Sequence, residues 1–600
     1  MRRRFISGFK GSAGTCVISH QEAWLWTDSR YWNEAGLQLD AAIWGLQKAG
    51  LPSTPSIAKW LSEEAVKFYK EQGKTMKIGM DPFVHSASSA KELEETIAEA
   101  AKQEFDDEPK IAELVTSLET NLIDEIWGTD RPAVPTSPFR VHPLEYAGCT
   151  VAEKVAKIRK EMKDKKATMA VFPSLDDVAY LLNVRCTGDI ESNPVGISYV
   201  TVTMDDVKLY CDPAKVAPPD VQEHLREVTI VPYDSIVSDI ESHCQTPGAK
   251  VWVDKSRANY ALCRIIPEKQ VIDEQNAIVP MKAVKNNAEL QGMRQAHIVD
   301  GVAMAKFMAW LEDQIVHQEL KVSEVEIDEQ LTGRRAEQDG FIEVSFPTIA
   351  GVGSNGAIIH YRAQADSDIM KYLDKENPIL IDSGGQYLYG TTDVTRTWHF
   401  GTPTPEFVNW YTRVLKGHIG LDEMIFPENT PGFALDIYAR RWLWDAQKDY
   451  GHGTGHGVGA ALNVHEGPMS ISPRWTNKEG LKKGMVVSNE PGYYEDGNFG
   501  IRIENLLEIK YLNPEHDVET PADEEAPKSS EKKFLKFDQL TMIPIQQNLI
   551  DLSLMTEREL DWLDAYHEKV FAKISPLLEP GSPELEWLTK SCVKIDRTHK

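Results

Sequence analysis

Six hundred residues exceed what one hydrophobic core usually organises, so two to four domains are expected. Hydrophobic side chains at 42 % and charged ones at 26 % lie in the globular range, which excludes bulk disorder. With 65 basic against 92 acidic side chains, the net charge of -27 repels nucleic-acid backbones and anionic membranes, so neither is an expected partner.

The chain begins MRRRFISGFKGSAG, where glycine and lysine interrupt any signal-peptide apolar region. No apolar run approaches the roughly 20 residues of a transmembrane helix. The 7 cysteines are odd in number and scattered, with no C-x-x-C pair. They read as reduced, mostly buried thiols, not as a disulfide scaffold or a thiolate zinc site. Together these features point to a cytoplasmic protein.

From residue 1 to about 130, short apolar strands alternate with helical stretches: GTCVISH and EAWLWTDSR as a hairpin, PSIAKWLSEEAVKFYKEQ as an amphipathic helix. Gly128 to Gly148 carries Pro132, Pro135, Pro138 and Pro143 and reads as an interdomain linker. A second α/β unit follows, with helix VAEKVAKIRKEMKDKK and strands ATMAVFP, ISYVTVTM, VKLYC and KVWVD, closing near Pro280. A third unit opens on a long helix: Asn286 and Glu289 resemble a capping pair, and Val299, Ala303, Phe307 and Trp310 form a core stripe. Beyond it, helices interleave with long hairpins. The acidic segment Pro514 to Lys533 reads as a solvated loop.

The residues with chemical potential lie between His360 and Glu504. PILIDSGGQYLYGTTDVTRTWHFG places Asp382 at the end of an apolar strand and Asp393 at the start of the next. Carboxylates at facing positions of an antiparallel pair stand roughly 5 Å apart, which suits hard cations sharing oxygen ligands. In a second hairpin, GMVVSNE ends at Glu490 and GIRIENLLEIK returns with Glu504. Period two puts Arg502 and Glu504 on one face and Ile501 and Ile503 on the other. Between the hairpins, GHGTGHGVGAALNVHEGP carries His452, His456 and His465 among glycines that permit close backbone approach. The H-x-x-x-H spacing is not a zincin, because that motif needs a helix and a glutamate after the first histidine. GVGSNG satisfies G-x-G-x-x-G literally, but AIIHY after it is β-like and leads to His360, so a dinucleotide site is not expected.

Each of these residues alone has a structural explanation; the order Asp, Asp, His, Glu, Glu in strand-associated positions is what points to a metal centre. DSGGQYLYGTTDVTRTWHFG, GHGTGHGVG, LNVHEGP, NEPGYYEDGNFGIRIEN and LTMIPIQ, with FISGFKGSAGT and WTDSRYW near the start, resemble the cytoplasmic aminopeptidases P (Xaa-Pro aminopeptidases) of the pita-bread metallopeptidases. The resemblance implies an α/β and α+β chain: two creatinase-like N-terminal α/β domains, at 1–131 and 140–280, then a pita-bread catalytic domain with a C-terminal extension at 283–600. It implies that Asp393 and Glu504 bridge two metals, Asp382 chelates one, and His456 and Glu490 complete the other. By likeness the metal is manganese; on ligand chemistry, Zn²⁺ or Co²⁺ fits the same residues. His360 and His465 match substrate-site histidines with catalytic roles. His452 and Arg502 match positions beside the metals, Arg502 within reach of substrate. Arg30 matches a substrate-binding arginine of the first domain.

The activity so implied is hydrolysis of the bond between an N-terminal residue and a following proline. A hydroxide bridging the two metals attacks the carbonyl, His465 stabilises the oxyanion, and Glu490 carries a proton to the proline nitrogen. A homodimer is implied as well. The chain departs from the resemblance at its start: the family carries several dozen residues before F-x-S-G-F, whereas Met1 lies almost on it, so the first domain is expected to be truncated or to lack an edge strand. Prolidase and methionine aminopeptidase share the ligand scheme, but two upstream domains favour aminopeptidase P. A catalytically inactive pita-bread binding module is the rival from another class, and it is disfavoured by the presence of all five ligands.

Overall fold

The computed structural model describes residues 1–116, 120–516 and 532–598. They form two compact units, one of Met1–Val141, Cys149–Asp189 and Val195–Ile278, the other of His142–Gly148, Ile190–Pro194 and Val279–Lys600. The acidic segment from Pro514 lies, apart from its ends, outside the described residues.

In the N-terminal unit the expected hairpin forms: Thr15–Ile18 pairs antiparallel with Ala23–Thr27, which runs parallel to Trp44–Lys48. Helix Ile57–Gln72 starts where the Ser56 side chain accepts the Lys59 N–H, and it ends at Gly73 in the left-handed region. Its Leu61 and Ala65 pack on Ile78, Ile97 and Ile111. A six-stranded sheet is centred on the buried strand Met169–Phe172, which joins Ser198–Thr203 to Val251–Val253. In the first 115 residues the strands stand in two separate sheets, one of three strands and one in which Met76–Gly79 runs parallel to Ala112–Val115. The proline-rich segment is also more than a linker. Phe139–Val141 pairs with Val184–Cys186, and the Phe139 ring is buried, because its alternating apolar residues complete a strand pair.

The C-terminal unit opens on α1 (Asn287–Glu312), whose Asn286 and Glu289 form a full capping box. Ala303 and Phe307 are fully buried and Val299 and Trp310 partly, as the stripe predicts. The strands β1 (Ile349–Val352), β2 (Ile379–Ser383) and β3 (Val394–Trp398) make one antiparallel sheet in that order. There follow α2 (Pro405–Asp422), α3 (Phe433–Trp444), β4 (Gly455–Gly457), β5 (Val486–Asn489), β6 (Gly492–Glu495), β7 (Phe499–Arg502), β8 (Asn505–Tyr511) and α4 (Glu557–Ile574). β8, β5 and β4 lie side by side in a six-stranded sheet, while β6 and β7 pair separately. Phe307, Leu311, Ile379, Ile381, Ile501, Ile503 and Leu563 meet in one core beneath these strands.

One expectation fails locally. After GVGSNG the segment AIIHY is not a strand: Gly353–Ala357 is a single 3-10 turn that continues into an irregular turn. The cause is a buried carboxylate, Glu324, which accepts the N–H groups of Val352 and Lys371, the Asn355 amide and the Tyr361 hydroxyl. Those groups are thereby unavailable to a ladder. The turn also seats on β7, where a Cβ on Gly500 would stand 1.7 Å from the Gly356 carbonyl oxygen. The glycines therefore serve backbone packing, not phosphate binding.

His567 on α4 is fully buried and accepts the Ile545 N–H on Nε2 at 3.0 Å. Burial, with the nearby Arg396 charge, holds its ring down to about 4. The unfolded chain takes up this proton near pH 6.5, so stability is present above that pH and lost as pH falls towards 4. The ring contributes up to about 1.4 kcal/mol per pH unit in that window. His418, held at about 3 chiefly by burial, leaves a residual slope. Urea unfolding of His567→Gln between pH 6.5 and 4.5 should show a shallower loss of stability than the wild type; equal slopes would contradict the assignment.

Candidate metal centre

Asp382 ends the apolar run of β2, and Asp393 immediately precedes β3. The register sets Thr395 opposite Asp382, so Asp393, two residues earlier, is a diagonal neighbour on the same face and not the facing partner expected from the sequence. In the second hairpin, pairing of β5 with β8 stops at Asn489 and Asn505. Glu490 and Glu504 are the next residues out, at the break in the ladder. Their N–H groups turn away, to the Thr454 carbonyl at 2.8 Å and the Thr395 carbonyl at 3.0 Å. This break frees two carboxylates to project into one space.

His456 lies on β4, a strand and not a helix, which removes the zincin reading. Its Nδ1–H donates to the Gly457 carbonyl at 2.9 Å, leaving Nε2 to face the carboxylates. Nε2 lies 3.5 Å from Asp393 Oδ2 and 3.5 Å from Glu490 Oε1. Asp393, His456 and Glu504 each offer a ligand atom within 4.8 Å of the other two. Glu490 is held by the Ser488 hydroxyl at 3.1 Å, which also accepts the His456 N–H at 3.0 Å. The structure thus brings together Asp393, His456, Glu490 and Glu504, with Asp382 beside them.

Their electrostatics test whether cations fit. Burial, then the Asp393 charge, pushes Asp382 up to about 6 despite Arg502 beside it. Glu490 is pushed up to about 7 by burial and by Asp393, against the pull of His456. Glu504 lies well above the ordinary range through burial and its three carboxylate neighbours. Burial works against a charged His456, yet Asp393 and Glu490 outweigh it and raise the ring to about 9. Among the described residues, Asp382 Oδ1 is buried with no hydrogen-bond partner. Protein alone does not neutralise so dense a set of carboxylates; divalent cations do, and the O-rich, single-imidazole donor set suits them.

A relay of hydrogen bonds fixes this set from one side. Arg502 donates from Nη2 to Asp382 Oδ2 at 2.5 Å, from Nε to the Thr395 hydroxyl at 3.1 Å, and from Nη1 to the Tyr494 hydroxyl at 2.7 Å. Thr395 passes its own proton to Glu504 Oε2 at 2.7 Å. Tyr494 donates to His452 Nε2 at 2.8 Å, while His452 Nδ1–H donates to the Gly453 carbonyl. His452 is accordingly held neutral, well below its ordinary value, by burial and then by Arg502. Gly492 leaves room for this relay, since a Cβ there would stand 2.6 Å from the Tyr494 oxygen. Tyr494 and Thr395 were not singled out from sequence. Tyr494 pairs with Gly500 and Arg502 with Gly492, so period two from Arg502 across the hairpin is the signal that points to it.

His360 stands in the turn that follows Gly353–Ala357, close enough for its charge to depress His452. His465 is exposed, with its ring 4.3 Å from that of His456. Arg30 belongs to the N-terminal unit, where its guanidinium grips Asp28 at 2.8 and 2.9 Å.

Residues 291–511 match the model of metallopeptidase family M24, and 533–595 that of the family's C-terminal region. Residues 1–114 and 130–289 each match a creatinase/prolidase N-terminal domain. Aminopeptidase P2 of Arabidopsis thaliana is 42 % identical over 98 % of this chain and 82 % of its own. A probable Xaa-Pro aminopeptidase P of Laccaria bicolor is 44 % identical over 98 % of this chain and 87 % of its own. The chain belongs to the aminopeptidase P branch of metallopeptidase family M24. X-prolyl aminopeptidase from Caenorhabditis elegans, described as a cytosolic enzyme with a di-nuclear active site, superposes with a TM-score of 0.88 at 35 % identity, over 99 % of this chain and 92 % of that one. This M24 chain therefore has two creatinase-like N-terminal domains before a pita-bread domain. No described helix is long and apolar enough to cross a membrane.

Tyr494→Phe removes the hydroxyl that joins His452 to Arg502 without touching a carboxylate. Peptide turnover should fall by roughly tenfold or more, as for other changes around metal ligands, with bound metal per chain unchanged by elemental analysis. Unchanged turnover would show that the relay has no part in the reaction.

Proposed function

We propose that this M24 chain hydrolyses the peptide bond between an N-terminal residue and a following proline, using two divalent cations held by Asp382, Asp393, His456, Glu490 and Glu504. The observation that carries this reading is the convergence of three carboxylates, Asp393, Glu490 and Glu504, on one imidazole whose Nε2 faces Asp393 and Glu490. On the family pattern Asp393 and Glu504 would hold both cations; Mn²⁺ is the proposed metal, and Zn²⁺ or Co²⁺ could occupy the same ligands. When bound, the cations supply Lewis acidity and lower the pKa of a water so that hydroxide is available near neutral pH.

The chain's own residues supply the rest. Glu490, steadied by Ser488, takes the proton of the attacking water and delivers it to the departing proline nitrogen. His465, exposed beside His456, donates to the oxygen on which negative charge develops. His360 orients the substrate, and His452, kept neutral and bonded to Tyr494, holds the relay to Arg502 in place. Arg30 is proposed to contact the peptide from the first domain. A bond to proline is a tertiary amide with no N–H, so a site that fits the pyrrolidine ring can select it. Cytoplasmic residence is supported by the cysteines, all free in the structure. An inactive binding module is disfavoured, because such a module has no use for uncompensated buried carboxylates.

Two measurements test the reading. Asp393→Ala and Glu490→Ala should each abolish Mn²⁺-dependent release of Arg from Arg-Pro-Pro, and near wild-type turnover in either would refute it. In a panel of X-Pro-Y, X-Ala-Y and X-Pro peptides, cleavage of X-Pro alone would mark a prolidase instead.

A homodimer is supported by α3, which leaves Ile437, Tyr438 and, two turns further on, Trp444 between 42 % and 48 % exposed. Ile437→Asp should shift sedimentation from dimer to monomer; an unchanged dimer would place the contact elsewhere.

A further inference from the structure

The loop that carries His452 and leads into His456 is tied from behind by one ion pair on the inner face of α3. Asp436 and Arg440, four residues apart on the helix, are both buried, and Arg440 Nε donates to Asp436 Oδ2 at 2.6 Å. The rest of the guanidinium points into the loop. Nη1 donates to the Tyr450 carbonyl and to Asp449 Oδ1, each at 2.8 Å, and Nη2 donates to the His452 carbonyl at 2.6 Å. The guanidinium also lies 3.9 Å from the centre of the Tyr450 ring. The other Asp436 oxygen accepts the Thr454 hydroxyl at 2.6 Å, and the Thr454 carbonyl accepts the N–H of Glu490 at 2.8 Å. One ion pair thus fixes residues 450, 452 and 454 and, through Thr454, the backbone of Glu490. Arg440 thus answers two acids, the buried Asp436 and the exposed Asp449 at the start of the loop.

We propose that Arg440, seated on Asp436, is a positioning residue for the metal centre: it sets the 450–454 loop so that His456 and Glu490 reach the same cation. The proposal rests on the dinuclear reading above. It differs from a merely structural role in being one-sided. Among the described residues no hydrogen bond or ion pair joins Asp436 or Arg440 to the β2–β3 pair that places Asp382, so the cation held there should keep its affinity when the clamp is loosened.

The test is calorimetric titration of the metal-stripped full chain with Mn²⁺ alone, for the wild type, Arg440→Lys and Asp436→Asn. Lysine keeps the charge on Asp436 but loses the fork to the carbonyls. Thr454→Val, which leaves the ion pair intact, guards against loss of fold. The wild type should bind two Mn²⁺. In Arg440→Lys and Asp436→Asn one class should weaken by roughly 10- to 100-fold while the other is unchanged, with a smaller shift in the same direction for Thr454→Val. Hydrogen exchange should quicken at the Glu490 amide and stay the same at Thr395. Equal weakening of both classes, or none, would overturn the positioning role while leaving the dinuclear reading intact. A wild type that binds no Mn²⁺ would overturn both.

Discussion

Four carboxylates within reach of one another, three of them buried and Glu490 partly exposed, are the constraint around which the catalytic unit is arranged. Two like charges about 5 Å apart repel by roughly 3 kcal/mol even at an effective dielectric constant of 20, and burial adds a desolvation cost of several kcal/mol for each ion. An apolar core beneath the strands makes that cost unavoidable: Ile379, Ile381, Ile501 and Ile503 alternate with, or lead up to, the acidic residues on the same strands. The break in pairing beyond Asn489 and Asn505, the diagonal register of Asp382 and Asp393, and the fixed tautomer of His456 all deliver oxygen and nitrogen atoms to one point.

The contrast with other buried charges in the same chain shows what the centre is for. Lys285 meets Glu466, Arg335 meets Asp300, Lys215 meets Asp189, and Arg440 meets Asp436. Glu324 has no cation but is satisfied by donors from four residues. At the candidate metal centre Asp382 is, among the described residues, the one carboxylate to which Arg502 donates, and its other oxygen has no partner. Asp422 is likewise buried, with one oxygen unpartnered among the described residues, but the Gln539 amide and the Trp562 indole donate to its other oxygen. What sets the candidate centre apart is that Asp393, Glu504 and His456 converge there with Asp382 and Glu490 beside them, a set that suits cations.

The sequence displayed the proposed ligands because each sits beside a local signal: an apolar run ending in Asp382, a glycine-flanked His456, and a hairpin bracketed by Glu490 and Glu504. The long helix with its Asn286–Glu289 box was legible for the same reason. What lay hidden depends on partners distant along the chain. The strand pairing of Phe139–Val141 needs a segment more than forty residues on. AIIHY carries strand-like residues, but Glu324 and the close approach of Gly500 impose a turn that no local propensity encodes. The facing carboxylates expected of the first hairpin proved diagonal, since register is set by the whole β1–β2–β3 sheet and not by the loop alone.

β3 shows why the segment after residue 532 belongs to the centre. Asp393 and Thr395 face the carboxylates, while the intervening side chains point the other way. Arg396, also buried, bonds to no carboxylate among the described residues and instead donates to main-chain oxygens of Glu504, Ile543 and Pro544, to Asn505 Oδ1 and to the Tyr566 hydroxyl. One guanidinium therefore ties a ligand's backbone to the TMIPIQ segment and to α4. A buried arginine is tolerated without an acid only when its donors are all met, and here the oxygens beyond residue 540 meet a large part of them. Remove that segment and the cation that braces Glu504 loses its partners. The C-terminal region is thus part of the construction that holds the carboxylates together, not an appendage to it.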